Sequence, residues 1–348
     1  MSKYKVGVVG IGLVGSEMVK VLRQRNFPAS EIRIFATRER TEEINGEKFK
    51  IEVAGEGSFK GLDVVLFAGT EGSKGASKLH GWKAVEEGAF VIDNGDDFRM
   101  DPRVPLVVPE VNPHHLSKDK KFIANPNCST IQMVVALAPL HKKFKIRRVV
   151  VSTYQSVSGT GRAGLQELYE QAKEVVPNYP DIAKMSQKPV AYPHRIAFNL
   201  IPQISGLSDD PAYSGYYKEE IKMIKETRKI LDEPEMKVTA TCVRVPVFWA
   251  HSETVNIEFD SKISAASVRD VLSKAPGIVV LDNPGESVYP MPVEIGGKDE
   301  VFVGRIRQDV SNPNAVDLWV VSDNIRKGAA LNAVQIAETL IARNLLKS

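Results

Sequence analysis

Cysteine is almost absent from this chain, which has only Cys128 and Cys242 among its 348 residues. Two cysteines are too few for the disulfide framework of a secreted protein, so we expect a reducing, cytoplasmic setting. Long hydrophobic runs are absent as well. Every apolar stretch is shorter than the ~20 residues that cross a bilayer, so we expect no membrane partner. Residues 1–5 lead directly into a strand pattern, which leaves no room for a signal peptide.

The chain also lacks an excess of charge of one sign. It has 46 Lys+Arg and 43 Asp+Glu residues, which gives a net charge of +3 with no basic tail or stripe. Because nucleic-acid recognition needs such a patch, we expect no nucleic-acid partner. The hydrophobic fraction of 43% is typical of globular proteins, and the length favours two domains.

A glycine-rich turn follows the first predicted strand. The pattern predicts a buried strand over Lys5–Gly10, a helix that ends near Arg25 and a second strand over Glu31–Ala36. Glycines in such a turn let the backbone approach a pyrophosphate, which the helix N-terminus attracts. The predicted dinucleotide-binding residues here are Gly10, Gly12, Leu13, Val14 and Gly15.

Further apolar runs predict more strands of a parallel sheet, at Val64–Ala68 and Phe90–Asp93. Gly69–Ser73 follows the first of these runs. Loops at the carboxyl ends of parallel strands are where such sheets bind ligands, so Gly69 is a predicted cofactor contact. The alternative is a plain connector.

The second half of the chain has a different pattern. Alternating apolar and polar residues at Arg147–Tyr154, Val238–Val245 and Ser252–Phe259 predict a mixed or antiparallel sheet. Residues 153–220 are rich in Gly, Pro and Tyr and predict a long irregular segment. A final helix from Arg326 to about Asn344 contains small residues and is expected to pack against the first domain.

Together these patterns predict an α/β fold. A Rossmann-type dinucleotide-binding domain with a parallel sheet covers 1–127 and the returning helix 325–348. An α+β catalytic and dimerisation domain with a mixed sheet covers 128–324.

Cys128 stands at a predicted helix start. Asn125–Asn127 halts the preceding segment and can cap the apolar run that follows. A thiol at this position lies near unpaired N–H groups and the positive end of the helix dipole, which favour the nucleophilic thiolate. An isolated cysteine is more often a small buried core residue. The Asn-Pro-Asn sequence before it favours the nucleophile.

The chain resembles the aspartate-β-semialdehyde dehydrogenases of the bacterial-type branch. The matching segments run in the family's order from the first strand to the last helix. They are Phe98–Met100, Val108–Asn112, Pro126–Gln132, Tyr154–Gly159, Arg244–Pro246, His251–Glu253 and Asp323–Ala330.

The resemblance implies a reaction and three catalytic residues. The family reduces L-aspartyl-4-phosphate with NADPH to L-aspartate 4-semialdehyde and phosphate, reversibly, through a cysteine thioester. It serves the biosynthesis of lysine (through diaminopimelate), methionine, threonine and isoleucine. Cys128 matches the nucleophile, Gln155 the residue that orients the intermediate, and His251 the acid and base, working near the ordinary histidine pKa of about 6.5. Taken alone, Gln155 is an ordinary strand residue and His251 a core histidine.

The resemblance also implies the substrate contacts. Arg244 matches the carboxylate-binding arginine, Glu219 the acid for the ammonium, and Lys222 with Arg99 the phosphate site. Asn127 completes this predicted substrate set. Without the resemblance, Glu219 and Lys222 read as a solvated helix face. Asp96 and Asp97 depart from the family pattern before Arg99, and they either orient Arg99 or weaken phosphate binding.

The expected cofactor is NADP(H). Thr37 and Arg38 follow the second strand where NAD enzymes usually carry an acid, and they suit a ribose 2′-phosphate. Glu39 weakens this prediction, and Arg38 is alternatively an exposed loop charge. Further predicted cofactor contacts are Ser158, Gly159 and Asn324. No metal ligands are predicted.

The resemblance implies a homodimer or a homotetramer. The nearest alternative function is that of an N-acetyl-γ-glutamyl-phosphate reductase, which uses the same chemistry on an acylated substrate without a free ammonium, so Glu219 argues against it. Glyceraldehyde-3-phosphate dehydrogenases share the thiol chemistry but have a different cysteine context. A non-catalytic homologue is the remaining alternative.

Overall fold

The computed structural model describes residues 4–69, 75–179 and 188–346. The chain divides into two compact units. The first comprises Met1–Ile131, Lys229–Asp232 and Ile325–Ser348, and the second comprises Gln132–Arg228 and Glu233–Asn324. Thr70–Ser73 of the predicted ligand-binding turn lies outside the described residues.

The first unit contains a seven-stranded sheet in the order β3-β4-β2-β1-β5-β6-β7. Its pairs are parallel except for β3 with β4 at one edge, so the predicted parallel sheet is confirmed. The strands are β1 Tyr4–Val9, β2 Ala29–Ala36, β3 Arg40–Ile44, β4 Glu47–Val53, β5 Val64–Phe67, β6 Phe90–Asp93 and β7 Phe122–Ala124.

The α-helices in the described part of this unit include α1 Leu13–Gln24, α2 Ala76–Glu86 and α8 Leu331–Ala342. Apolar residues of α1 and α8, such as Met18 and Leu340, join one core with Val6 and Val8 of β1. The last helix of the chain therefore completes the core that its first strand begins.

The second unit contains a mixed six-stranded sheet in the order β11-β12-β13-β10-β8-β9, as the sequence predicts. Strand β8 pairs parallel with β9 and antiparallel with β10. The strands are β8 Ile146–Gln155, β9 Lys237–Arg244, β10 His251–Phe259, β11 Ile278–Val280, β12 Val301–Gln308 and β13 Ala315–Ser322. The remaining helices are α3 Cys128–Phe144, which begins in the first unit, and α4 Arg162–Val175, α5 Lys218–Ile230, α6 Ala265–Leu272 and α7 Pro292–Ile295.

The irregular segment predicted over residues 153–220 is wrong in part, because α4 lies within it. Gly164, Leu168, Gln171 and Val175 are the buried residues of α4. Their spacing of three and four residues forms the buried stripe of an amphipathic helix. The high Gly, Pro and Tyr content around α4 hid this pattern.

Within the described residues, the structure has no helix that combines the length and the apolar character needed to cross a membrane.

Candidate active site

The glycine turn has the geometry that a dinucleotide site requires. Gly10 has a φ of +91°, and a Cβ on Gly15 would lie 1.9 Å from the carbonyl oxygen of Gly10. Gly12 precedes α1, carries no side-chain cap and has open space where a Cβ would be. The first-turn N–H groups, including those of Leu13 and Val14, therefore have room for a phosphate.

The end of β2 carries two exposed residues, Thr37 and Arg38. Arg40 is held by Glu42, with 2.7 Å between the guanidinium and the carboxylate. Arg38 makes no side-chain ion pair with any residue in the described part of the chain. Gly69, at the end of β5, has a φ of +84° and lies against Asn94.

Cys128 is the first residue of α3, and the predicted cap before it is present. The Asn127 side-chain oxygen accepts the N–H groups of Ser129 (3.0 Å) and Thr130 (3.2 Å). Asn127 is buried, and Cys128 is half-buried. The cap fixes the helix start, so the Cys128 thiol sits at the positive end of the α3 dipole.

In the second unit, four neighbouring strands have a terminus at the same end of the sheet. Gln155 ends β8 and pairs with Arg244, which ends β9, while His251 begins β10 and pairs with Ser322, which ends β13. The structure thus brings together Gln155, Arg244 and His251, and all three are buried. Buried polar residues at one sheet edge are typical of a binding or catalytic site.

The protonation of His251 follows from its partners. Ser156 donates its backbone N–H to Nδ1 (3.0 Å), and the Ser156 hydroxyl lies at the same distance from Nδ1. Nδ1 is therefore an acceptor, and the ring proton belongs on Nε2. Burial holds the pKa of His251 well below 6.5, and the positive charge of Arg244 lowers it further. The pKa of His251 therefore lies below the expected working value near 6.5, and the neutral ring is favoured.

The donor side of His251 is available for a ligand. Its Nε2 is buried and has no hydrogen-bond partner among residues 4–69, 75–179 and 188–346. Gly159 leaves this space open, since a Cβ there would lie 3.4 Å from Nε2 and 2.9 Å from a guanidinium nitrogen of Arg244. A buried N–H without a protein acceptor is costly, so a ligand acceptor fits this position.

Asn324 organises the residues around His251. Its Oδ1 accepts the hydroxyls of Ser156 and Ser158, each at 3.0 Å, and the N–H of Ala250 at 3.1 Å. Its buried Nδ2 has no partner within the described residues. An amide fixed through its oxygen presents its N–H group in one direction, which suits a polar ligand such as a nicotinamide carboxamide.

Glu219 and Lys222 lie together on α5, 3.8 Å apart. Gln155 donates to the Glu219 carboxylate (3.3 Å), and both side chains are buried. The reading of this helix face as solvated surface is therefore wrong for Glu219. Arg244 donates to the Ser156 carbonyl oxygen (2.6 Å) through one nitrogen, which fixes the plane of its guanidinium.

Arg99 lies in the first unit, where contacts with the backbone hold its side chain and the segment that follows it. Its guanidinium donates to the carbonyl oxygen of Asn94 (2.7 Å). Lys229 donates to the carbonyl oxygens of Arg99 (2.7 Å) and two later residues, which fixes the segment that follows. Asp97, one of the two unexpected acids, lies 3.6 Å from Lys78.

Asp93, at the end of β6, is a buried residue that the sequence reasoning missed. Its Oδ1 accepts the N–H of Gly95 (2.9 Å). Burial raises its pKa to about 6, although hydrogen bonds from Gly95 and Ser77 and the positive charge of Arg99 each lower it. The signal available in the sequence was an acid at the carboxyl end of a fully apolar strand.

Asp93→Asn is expected to stabilise the protein at pH 8 by up to ~3 kcal/mol, since a shift of one pKa unit corresponds to about 1.4 kcal/mol. The raised native pKa means that stability falls as the pH rises from about 4 to about 6, and asparagine does not titrate. Urea unfolding at pH 4, 6 and 8 measures this gain, which should vanish near pH 4. Asp119→Asn, at an exposed position, is the control. An equal gain at pH 4 and pH 8 would contradict the assignment.

Glu253 and Ser156 were also missed as site residues. Glu253 is fully buried, both its carboxyl oxygens lack hydrogen-bond partners within the described residues, and burial raises its pKa well above 4.5. It pairs with Thr153 across β8, in the row of residues beneath His251 and Gln155. Its burial favours the protonated form of this carboxyl group. Glu253 and Ser156 lie in two of the segments that carry the family resemblance, His251–Glu253 and Tyr154–Gly159. Neither residue by itself indicates a functional site in the sequence.

One group in the described residues brings histidine and aspartate side chains within reach of a single ion. The ligand atoms of His114, His115 and Asp232 lie within 4.8 Å of one another. Backbone groups fix the amide of Asn112 so that its Nδ2 points at Nδ1 of His115 (3.1 Å). This places the His115 proton on Nε2, facing Asp232. Metal binding at Nε2 would reverse that tautomer, so the group fits an ion poorly.

Comparison with known proteins identifies both halves of the chain. The family model described as semialdehyde dehydrogenase, NAD binding domain, matches residues 5–119. The model described as semialdehyde dehydrogenase, dimerisation domain, matches residues 137–327. The second match indicates a homo-oligomer.

Curated relatives match over nearly their full length. The aspartate-semialdehyde dehydrogenase of Aquifex aeolicus is 48% identical, with 99% of each chain covered. That of Bacillus subtilis is 44% identical, with 98% of each chain covered. Among solved structures, aspartate semialdehyde dehydrogenase II from Vibrio cholerae is 43% identical, with a TM-score of 0.89 over 98% of this chain and 99% of that one. The enzyme with NADP from Candida albicans is 26% identical, with a TM-score of 0.70 over 99% of this chain and 100% of that one.

Proposed function

The chain belongs to the aspartate-semialdehyde dehydrogenase family of oxidoreductases, and we propose that it reduces L-aspartyl-4-phosphate to L-aspartate 4-semialdehyde, reversibly and with NADPH. The observation that carries the proposal is Cys128 at the capped start of α3. The N–H groups and the dipole of the helix start stabilise a thiolate there.

Each step of the proposed reaction has a residue suited to it. The Cys128 thiolate attacks the acyl carbon, the new C–S bond forms, and the C–O bond to phosphate breaks to give a thioester. NADPH, when bound, would supply the hydride that reduces the thioester. In the tetrahedral oxyanion that this gives on Cys128, the C=O bond would re-form as the C–S bond breaks, which releases the aldehyde and the thiolate. Gln155 donates from Nε2 to Thr153 and Glu219, and its Oε1 is the atom that would orient the reacting intermediate.

The geometry of His251 supports a role as acid more than as base. With Nδ1 accepting from Ser156, the Nε2–H group is the available proton donor. It can donate a hydrogen bond to the carbonyl oxygen as negative charge develops there. Nδ1 accepts a hydrogen bond from Ser156 and Nε2 already carries the ring proton, so neither nitrogen is free to take the thiol proton. The positive end of the α3 dipole then favours ionisation of the Cys128 thiol.

His251→Ala is expected to lower kcat by ~10²- to 10⁴-fold, the usual contribution of a positioned acid. The rate of Cys128 alkylation by iodoacetamide, measured against pH, should stay as in the wild type. A matched slowing of alkylation would mean that His251 is the base that ionises the thiol.

Substrate recognition is proposed to use both charges of the amino-acid moiety. Arg244, fixed by Ser156, offers its remaining guanidinium donors to the α-carboxylate. Glu219 binds the α-ammonium, since a carboxylate attracts a positive charge more strongly at a buried position than in water. Lys222 and Arg99 bind the phosphate, and Asn127 borders the acyl group.

The cofactor site is proposed to prefer NADP(H). The glycine turn from Gly10 to Gly15 holds the pyrophosphate, and Gly69, Ser158, Gly159 and Asn324 border the rest. Arg38 has no intramolecular ion pair among the described residues and, with Thr37, is suited to bind the 2′-phosphate.

Arg38→Ala is expected to weaken NADP binding roughly tenfold or more, the usual cost of one charge-assisted hydrogen bond, and to leave NAD binding unchanged. Steady-state KM values for both cofactors measure this difference. Arg40→Ala is the matched control, because Arg40 is already engaged by Glu42. Equal or better kcat/KM with NAD in the wild type would refute the cofactor preference.

The deciding assay is reduction of NADP by the purified protein with L-aspartate 4-semialdehyde and phosphate. Activity with N-acetyl-glutamate semialdehyde instead would establish the alternative reductase function. No activity with either substrate would favour a non-catalytic homologue. The proposed setting is the biosynthesis of lysine, methionine, threonine and isoleucine, and sedimentation will distinguish the proposed homodimer from a homotetramer.

A further inference from the structure

The residues before α8 form a π-helical turn, Arg326–Ala330, which we call the π turn. Ala330 donates its N–H to the carbonyl oxygen of Ile325 (2.9 Å), five residues earlier. The turn continues directly into α8. A π turn widens the helical backbone, and such turns are frequent at functional sites.

The wide turn places a glycine against Cys128. A Cβ on Gly328 would lie 2.8 Å from the Cβ of Cys128 and 3.2 Å from its Cα. Both distances are shorter than ordinary van der Waals contact, and Cys128 begins a helix that cannot move as a flexible side chain does. Any side chain at position 328 must therefore displace the start of α3 or the π turn itself.

Buried polar contacts hold the π turn in place. Lys327 is almost fully buried, and its Nζ contacts Glu110 (2.6 Å), Gln335 (2.7 Å) and Asn332 (3.0 Å). A buried ammonium with three acceptors resists movement, since losing any of them leaves a charge poorly solvated.

The same contacts reach the segment before Cys128. Asn332 donates to the side-chain oxygen of Asn125 (2.7 Å), three residues before the cysteine. The π turn is thus connected to Cys128 in two ways, through the Asn125 amide and through the Gly328 contact.

We propose that the π turn positions the nucleophile, with Gly328 as the contact that sets the location of Cys128 and Lys327 as its anchor. This inference rests on the proposed role of Cys128. Gly328 and Lys327 are positioning residues, since they act through Cys128 and not on the substrate.

Gly328→Ala tests the proposal directly. Alanine normally stabilises a helix relative to glycine, so a position without a positioning role should gain stability and keep its activity. We expect kcat to fall at least tenfold with little change in KM, because small misplacements of a reacting group are costly. The pH midpoint for alkylation of Cys128 by iodoacetamide should rise, because the thiol moves away from the helix N-terminus.

Gly206→Ala is the matched control, because a Cβ there meets nothing within 4 Å. If Gly328→Ala does not fold, Gln335→Met removes one acceptor of Lys327 without adding volume near Cys128. It should then shift the same alkylation profile in the same direction by a smaller amount. An unchanged alkylation profile and unchanged kcat in the folded variant overturn the inference. Activity in Cys128→Ala would instead overturn the proposed function, which separates the two failures.

Discussion

Replacement of Cys128 by alanine is expected to abolish turnover while the protein stays folded. The proposed thioester cannot form without the thiol, and the Asn127 cap keeps the start of α3 intact. Cys128→Ser should retain only traces of activity, because a hydroxyl ionises far less readily than a thiol. Steady-state turnover and thermal unfolding of the same preparations measure both parts.

Cys242 is the matched control for this experiment. It is buried in β9, and burial together with the charge of Glu219 raises the pKa of its thiol well above 9. It is therefore an inert core thiol, and Cys242→Ala should keep its activity. Appreciable dehydrogenase activity in Cys128→Ala would end the covalent mechanism.

Arg244→Lys is expected to lower kcat/KM for the semialdehyde by ~30- to 100-fold, although the charge is kept. Such a loss corresponds to about 2–3 kcal/mol, the usual value of one charge-assisted pair. Arg244 uses one nitrogen for the Ser156 carbonyl, which aims the rest of the planar fork. A lysine ammonium is not planar, so it cannot bind the Ser156 carbonyl oxygen and at the same time grip the substrate carboxylate with two donors.

Arg23→Lys is the control for the loss of guanidinium geometry. Arg23 makes a two-pronged ion pair with Glu47, but both side chains are solvent-exposed. Arg23→Lys should therefore leave kcat/KM nearly unchanged. If Arg244→Lys leaves kcat/KM unchanged, Arg244 does not bind the substrate carboxylate.

Local signals predicted much of the first unit. Strands β1, β2, β5 and β6 were predicted to within two residues at each end, because buried parallel strands are continuous apolar runs between turn residues. The edge hairpin β3–β4 was missed, although Asn45-Gly46 between the strands is the strongest short hairpin signal. Both residues have positive φ, 53° and 81°, as that turn requires.

The candidate site was harder to predict because its chemistry depends on contacts distant in sequence. The cap at Asn127 is local and could be read from Asn-Pro-Asn-Cys. The tautomer of His251 depends on Ser156, 95 positions away, and the burial of Glu219 depends on Gln155, 64 positions away. No local pattern encodes such pairings, so only the family resemblance identified these residues.

The position of α8 also has a consequence for the order in which the newly made chain folds. The core around β1 includes Leu331, Val334 and Leu340, which the ribosome adds long after β1. Until that segment emerges, Val6 and Val8 lack part of their packing, and closing this core joins residues that are far apart in the chain. The second unit ends at Asn324 and can form earlier during synthesis. A nascent chain stalled before Leu331 therefore exposes an apolar surface that invites aggregation or chaperone binding.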